Sequence, residues 1–311
     1  MDYRTLGKAG PKVSRVGLGC NNFGGRLDFE GSRKVVHKAL DLGITLFDTA
    51  DSYGKNGGSE ECLGRILGER RGDIVLATKF GWPLDNEGKL KGASRRYIMT
   101  AVEASLKRLQ TDWIDLYQLH LPDPLTPIEE TLRALDDLVR QGKVRYIGCS
   151  NLSAQQLDEA QQTAKSLGLN AFVCCQNQYS LLVRDIEREL VPAVDRHGLG
   201  FVPSTPLAGG MLTGKYHANA PLPENARLTK SEKPRYLTDV NWRIVEELRA
   251  FCDKRGRTLL ELAMSWLVAH PFLSSVIAGA MKPEQVEQNV RAVEWKLSAG
   301  EMGEIDRLTR K

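Results

Sequence analysis

Eight short apolar runs, each followed by a segment of helical period, predict an α/β fold: a single (β/α)8 (TIM) barrel over residues 1–311. A second observation agrees with the first. Five successive runs end on a polar or charged side chain, and barrels gather their chemistry at the C-terminal ends of their strands. A third observation disfavours an open doubly wound sheet, which announces a dinucleotide site with G-x-G-x-x-G after its first strand. Here that stretch reads Gly17-Leu18-Gly19-Cys20-Asn21-Asn22-Phe23-Gly24, with different spacing.

Residues 1–14, which contain Gly10-Pro11, read as a β-hairpin capping the barrel bottom. The barrel strands are expected at 16–20, 44–48, 74–79, 114–120, 144–150, 172–176, 200–204 and 275–279, all short and mostly apolar, as suits parallel strands buried on both faces. Ser94 opens a helix with Ile98, Val102, Leu106 and Leu109 on one face. Thr126-Pro127-Ile128-Glu129 combines a capping box with proline at the first helical position, and Gly142 ends that helix. Ser153 to Gln156 starts another, with Leu157, Ala160, Ala164 and Leu167 inward and Gly168 as its stop. After the seventh strand, residues 206–238 form a long Pro- and Gly-containing loop, and loops of that length are usually functional. Residues 298–310 read as an extra C-terminal helix. No linker interrupts the pattern, so one domain is expected.

Composition narrows the function classes. The 43 Lys+Arg and 39 Asp+Glu give a formal charge of +4, and 41% of residues are hydrophobic, which excludes a disordered or fibrous chain. Basic residues occur in pairs such as Arg70-Arg71 and Arg95-Arg96 rather than as a stripe, so no nucleic-acid partner is expected. No apolar run approaches the ~18 residues of a membrane span, and Met1-Asp2-Tyr3-Arg4 lacks the apolar core of a secretory signal. Cysteines at 20, 62, 149, 174, 175 and 252 form no C-x-x-C pair. They read as reduced thiols of a cytoplasmic protein, with neither a disulfide framework nor a metal site.

The strand ends carry the chemistry: Asp48, Lys79, His120, Ser150-Asn151 and Gln176. Asp48 shares a strand face with Leu46 and Ile44, and Lys79 with Ala77 and Val75. If those faces point inward, the charges converge over the barrel mouth. Taken singly, each residue has a bland reading: a turn former, a solvated end, a satisfied interior group, or an ion pair without catalytic role. Five together at successive strand ends point to a site. Tyr53, in the loop Asp48-Thr49-Ala50-Asp51-Ser52-Tyr53-Gly54, then has a chemical use, because a phenol beside an ammonium and an imidazole is a general acid suited to carbonyl reduction.

With these motifs in order, the sequence resembles the aldo-keto reductase superfamily along nearly its whole length. The carrying segments are Asp48 to Gly54, Thr78-Lys79-Phe80-Gly81, Leu116 to His120, Gly142 to Asn151, and Pro206 to Tyr216. The match is closer to bacterial reductases and the potassium-channel β-subunit branch than to the mammalian aldose reductase branch. The resemblance implies a catalytic tetrad of Asp48, Tyr53, Lys79 and His120. In it Tyr53 donates the proton, Lys79 lowers the Tyr53 pKa, Asp48 holds Lys79, and His120 orients a small-molecule carbonyl. It implies NADPH or NADP as cofactor, with NADH possible.

Cofactor contacts are implied at Gly19, Cys20 and Asn21, and at Ser150, Asn151 and Gln176 for the nicotinamide carboxamide. Ser204 and Thr205 follow the seventh strand as further cofactor contacts, and Leu207, Ala208, Gly210 and Leu212, with the charge of Lys215, fall along the pyrophosphate loop. Gly279, Lys282, Gln285, Gln288 and Asn289 fall at the adenosine end, with Lys282 toward the 2′-phosphate. Phe23, Trp82 and the 206–238 loop are implied to wall the substrate pocket. Ser204 stands where related enzymes place a nicotinamide-stacking aromatic, and Gln288 where Glu is frequent. The segment from Gly209 to Gly214-Lys215 has P-loop spacing, but Tyr216 replaces the required Ser or Thr. Two other functions stay open at this point: a cofactor-sensing regulatory subunit of the same fold, and a Schiff-base barrel enzyme using Lys79. Monomer and homo-oligomer are equally open.

Overall fold

The computed structural model describes residues 1–85, 87–218, 220–224, 226–228 and 236–310. A short antiparallel hairpin, β1 (Tyr3–Thr5) and β2 (Lys12–Ser14), precedes eight parallel strands. These are β3 (Val16–Gly19), β4 (Leu46–Asp48), β5 (Val75–Phe80), β6 (Ile114–Leu119), β7 (Val144–Ser150), β8 (Cys174–Gln178), β9 (Gly200–Ser204) and β10 (Val276–Gly279). Their order is β10-β3-β4-β5-β6-β7-β8-β9. The join between β9 and β10 is the weak one: a parallel bridge pairs Phe201 with Leu273, and Ser274 N donates to the Phe201 carbonyl at 2.9 Å. The sheet is a nearly closed barrel, as expected from the eight-fold alternation.

Strand alternation divides the core in two. Leu46, Ala77, Leu116, Cys174, Val202 and Ile277 fill the barrel interior, and the hairpin closes its floor with Leu6 and Val13. The larger core lies between the wall and the helices. The neighbours Cys174 and Cys175 fall on opposite sides of the wall, as strand parity requires. Asp48, Lys79 and Gln176 each stand two residues beyond an interior apolar side chain, so all three point inward one layer higher.

Helices α1 (Phe29–Asp41), α2 (Tyr53–Leu67), α3 (Arg95–Leu109), α4 (Ile128–Arg140), α5 (Ala154–Leu167) and α6 (Leu190–His197) follow successive strands. Then come α7 (Asp239–Asp253), α8 (Leu259–Ala269), α9 (Pro283–Arg291) and α10 (Ala299–Thr309). The Ser94 cap on α3 and the Ser153–Gln156 capping box on α5 are present, with Gly168 left-handed at the end of α5. The expected box on α4 does not form: Pro127 is itself the cap, and Thr126 Oγ1 donates to Asp123 instead, at 2.8 Å. The periodicity had singled out α10 but not α7, which packs on both α10 and α8. Within the 206–238 loop, residues Ala208–Thr213 form a 3-10 turn that buries Ala208, Met211 and Leu212. Residues 219, 225 and 229–235 of that loop lie outside the described residues. Among the described residues no helix is long and apolar enough to cross a membrane. All six cysteines are buried and free.

Candidate active site

The inward parity of β4 and β5 brings Asp48 and Lys79 together in the upper barrel. Lys79 has no exposed surface, and each of its three N–H directions is used. Nζ lies 2.7 Å from Asp48 Oδ2, 2.9 Å from the Thr49 carbonyl and 3.5 Å from the Tyr53 hydroxyl. Asp48 Oδ1 accepts the Gln176 amide at 3.0 Å and the Gln118 amide at 3.3 Å. The buried ion pair is therefore satisfied at both ends, the condition under which such a pair persists away from water.

Local backbone geometry places Tyr53. The segment after β4 keeps pairing along β5, with Thr49 N donating to the Ala77 carbonyl (2.8 Å) and Asp51 N to the Lys79 carbonyl (3.1 Å). Beyond Tyr53, residues Gly54, Lys55, Asn56 and Gly57 have φ of 68°, 63°, 63° and 110°, so regular helix begins only after them. Gly54 admits no side chain: an added Cβ would lie 2.3 Å from the Phe23 carbonyl oxygen. Asn56 supports the turn by donating to the Leu84 carbonyl at 2.8 Å. The Tyr53 ring meets the His120 ring edge-on, centroids 5.9 Å apart, and the Trp82 ring packs tilted against His120 at 5.1 Å.

Electrostatics assign the protonation states. Burial would lower the Lys79 pKa, but Asp48 and Tyr53 outweigh it and the net shift is upward, so Lys79 stays an ammonium. The Tyr53 phenol moves up, against the expectation of a lowered value. Burial dominates, Lys79 pulls downward, and Asp48 cancels part of that pull. Burial, with Lys79 nearby, drives His120 down to about 3, so its imidazole is neutral over the physiological range. His120 Nδ1 is buried without a partner.

A cavity of about 110 Å³ opens beside the ion pair, lined in part by Asn21, Asp48, Tyr53, Gln176 and Arg227. Gly19 and Gly279, paired in register between β3 and β10, form one wall of it with Ser204 and Thr205 adjacent. A Cβ on Gly279 would sit 3.3 Å from the Asn21 and Asn22 side chains, and one on Gly19 would sit 3.4 Å from the Gly279 nitrogen. With no side chain on either glycine, the wall at this point is bare backbone, which leaves room for a ring such as nicotinamide to approach. Three cations gather on the loops: Arg26, Lys215 and Arg227 act on one another, and burial with this mutual repulsion lowers Lys215 and Arg227. None of the three has a carboxylate ion-pair partner among the described residues. A cluster of unpaired cations beside room for a ring suits a dinucleotide with its phosphates.

The other expected residues fall as follows. Ser150 Oγ accepts Asn151 Nδ2 at 3.0 Å, and the same amide donates to the His120 carbonyl at 2.9 Å. Asn151 reaches both from a left-handed backbone, φ 60°. Gly210 is also left-handed, whereas Leu212 is buried in the core and Leu207 packs against it. Lys282 caps α9 and is exposed with Gln285 and Gln288, while Asn289 is buried; Gln285 Oε1 accepts Met281 N at 2.7 Å. Cys20 and Phe23 turn away from the cavity. Cys20 turns its thiol back to the Leu18 carbonyl, and Phe23 lies in the core with no exposed surface. Trp82 is at the rim, 43% exposed.

Sequence reasoning missed Gln118 and Arg227. Gln118 stands two residues before His120 on the same strand face, a parity signal that was there to use. Arg227 lies in a loop without periodicity and left no signal. Among the described residues no group of three or more His, Cys, Asp or Glu is placed to hold a metal ion.

Comparison with known proteins places this geometry. A family profile described as the aldo/keto reductase family matches residues 15–310. A probable voltage-gated potassium channel subunit beta from Arabidopsis thaliana is 40% identical, over 94% of this chain and 92% of its own length. An uncharacterised oxidoreductase, YrpG, from Bacillus subtilis is 39% identical over 96% of this chain and 92% of that protein. An L-glyceraldehyde 3-phosphate reductase from Escherichia coli is 33% identical over 98% and 92%.

Proposed function

The chain belongs to the aldo/keto reductase family, and from that premise we propose that it reduces an aldehyde or ketone to the alcohol with NADPH, Tyr53 supplying the proton. One observation carries the reading: a single buried ammonium, Lys79 Nζ, touches both Asp48 and the Tyr53 hydroxyl, with the neutral His120 ring alongside.

When bound, the nicotinamide cofactor supplies the hydride. The chain's own residues do the rest. Tyr53 is protonated at neutral pH and is the proton donor to the carbonyl oxygen, because His120, with a pKa near 3, lacks the acidic imidazolium proton and can only donate a hydrogen bond. The Lys79 ammonium stabilises the phenolate left behind, and Asp48 with its two amide donors fixes Lys79. His120 orients the carbonyl, and Trp82 holds His120. The Gly19–Gly279 wall, Asn21, Ser150, Asn151, Gln176, Ser204 and Thr205 are suited to the nicotinamide, and Arg26, Lys215 and Arg227 to the phosphates. Lys282, at the N-terminus of α9, is the best placed charge for a 2′-phosphate and favours NADPH over NADH. Six buried free thiols agree with a reducing, cytoplasmic setting.

A Schiff-base role for Lys79 fits poorly, since its ammonium is raised and fully engaged. A cofactor-sensing subunit remains a second reading, favoured by the 40% identity to a protein named as a channel subunit. NADPH absorbance, followed with a panel of aromatic aldehydes, aliphatic aldehydes and diketones, separates them. Turnover that disappears in Tyr53→Phe while cofactor binding persists supports the reductase; full activity in Tyr53→Phe removes the proton assignment. Tight cofactor binding with no turnover on any carbonyl supports the sensor. Lys282→Ala is expected to weaken NADPH more than NADH, and equal effects would remove Lys282 as the phosphate ligand.

A further inference from the structure

Asp51 lies between β4 and Tyr53, with its N–H committed to the Lys79 carbonyl (3.1 Å) and 1% of its surface exposed. Neither carboxyl oxygen accepts a well-formed hydrogen bond; the donors near it are the Ser52 N–H and the Tyr97 hydroxyl. Every element packed against it presents a titratable or charged group. Glu60 comes from α2, Lys79 from β5, Tyr97 and Arg108 from α3, and Tyr117 from β6. Glu60 is fully buried yet satisfied, accepting the Thr78 hydroxyl at 2.6 Å and Arg108 Nε at 2.7 Å. Arg108 is therefore committed to Glu60, and Lys79 to Asp48. The hydroxyls of Tyr97 and Tyr117 are buried too, and that of Tyr97 lies toward Asp51. Two buried phenols thus flank a carboxyl that has a second carboxylate as neighbour.

An ionised Asp51 in this place would be a buried charge with no cation of its own beside Glu60, since Arg108 and Lys79 are committed elsewhere. A neutral carboxyl avoids the repulsion and adds an O–H donor that a neighbouring phenol oxygen can accept. We propose that Asp51 is a positioning residue kept as the neutral acid, and that loss of its proton above neutral pH displaces the Tyr53 loop and switches the reductase down. The proposal rests on the reductase reading above. The catalytic residues do not titrate in the same window. Burial and Glu60 push Asp51 to about 8, while Tyr53 and Lys79 are raised above their ordinary values and His120 titrates near 3. An alkaline fall beginning near 8 therefore belongs to Asp51 and to none of those three.

The test is the pH profile of kcat for the full chain and for Asp51→Asn, which keeps the shape and cannot ionise. Wild-type activity is expected to fall by about tenfold per pH unit above about 8. The variant is expected to lose that fall while keeping its neutral-pH KM for the cofactor. The same fall at the same pH in both proteins overturns the proposal. A readout independent of activity and of the variant's folding is the carboxyl region of the wild-type infrared spectrum. A neutral carboxylic-acid band at neutral pH that vanishes near pH 8 supports the proposal; a spectrum with every carboxyl ionised at neutral pH overturns it. A protein that shows the band but reduces no carbonyl would instead refute the reductase reading.

Discussion

Lys79 Nζ lies 2.7 Å from Asp48 Oδ2 inside the barrel, and at most 5% of either side chain reaches solvent. Removing one partner leaves a buried charge with no counter-ion, which typically costs about 3–5 kcal/mol. Lys79→Met is therefore expected to destabilise the fold by about that much and to abolish carbonyl reduction. Adding Asp48→Asn removes the orphaned charge, so the double variant recovers most of the stability and none of the activity. Denaturant unfolding with NADPH turnover measures both. A double variant as unstable as Lys79→Met would show that the pair's charge is not what the cost reflects.

His120 gives the acid side of the profile. Its pKa falls from 6.5 to about 3 in the fold, because burial and Lys79 both oppose a second proton. Between those values the unfolded chain binds a proton there that the folded chain does not. Stability therefore rises with pH through this window and is lost as pH falls through it. His120→Gln is expected to flatten the melting temperature from pH 6.5 down to about 3 relative to wild type. Wild-type kcat should show no acid limb near pH 6.5, and such a limb would contradict a neutral His120.

The bare wall between β3 and β10 makes a steric prediction. A Cβ on Gly279 meets the Asn21 and Asn22 side chains at 3.3 Å, tight contact at side chains that shift readily, and the backbone there is not left-handed. Gly279→Val is thus expected to fold while weakening cofactor affinity by an order of magnitude or more, since its methyls enter the space left for the ring. Fluorescence titration with NADPH and a melting curve separate the two effects. An unchanged affinity would place the nicotinamide elsewhere.

The barrel and the buried ion pair were legible because parity and strand ends are local properties of the chain. Leu46 two residues before Asp48, and Ala77 two before Lys79, suffice to turn both charges inward. The direction of the Tyr53 shift was not legible. Proximity to Lys79 can be inferred from order along the strands, but the burial that outweighs it depends on how closely the loops cover the ring. Phe23 follows a strand end as a pocket residue would, yet the turn at Gly54 packs over its carbonyl and it lies in the core. Arg227 and α7 belong to the stretch after β9, where no repeat constrains the chain.

Asp51 carries the last prediction, with a sign opposite to that of a stabilising carboxylate. Its pKa rises from an ordinary 3.8 to about 8 on folding, through burial first and Glu60 second. Between those values the folded protein holds a proton that the unfolded chain releases, so stability falls as pH rises and the cost is complete above about 8. A shift of that size corresponds to a penalty on the order of 5 kcal/mol, before relaxation of the loop reduces it. Asp51→Asn keeps the shape without the charge, so its advantage over wild type should be smallest near pH 4 and grow through neutrality to a plateau above pH 8. Urea unfolding of both proteins across this range checks the slope. An advantage that is constant with pH would mean that packing, and not the proton, sets the difference.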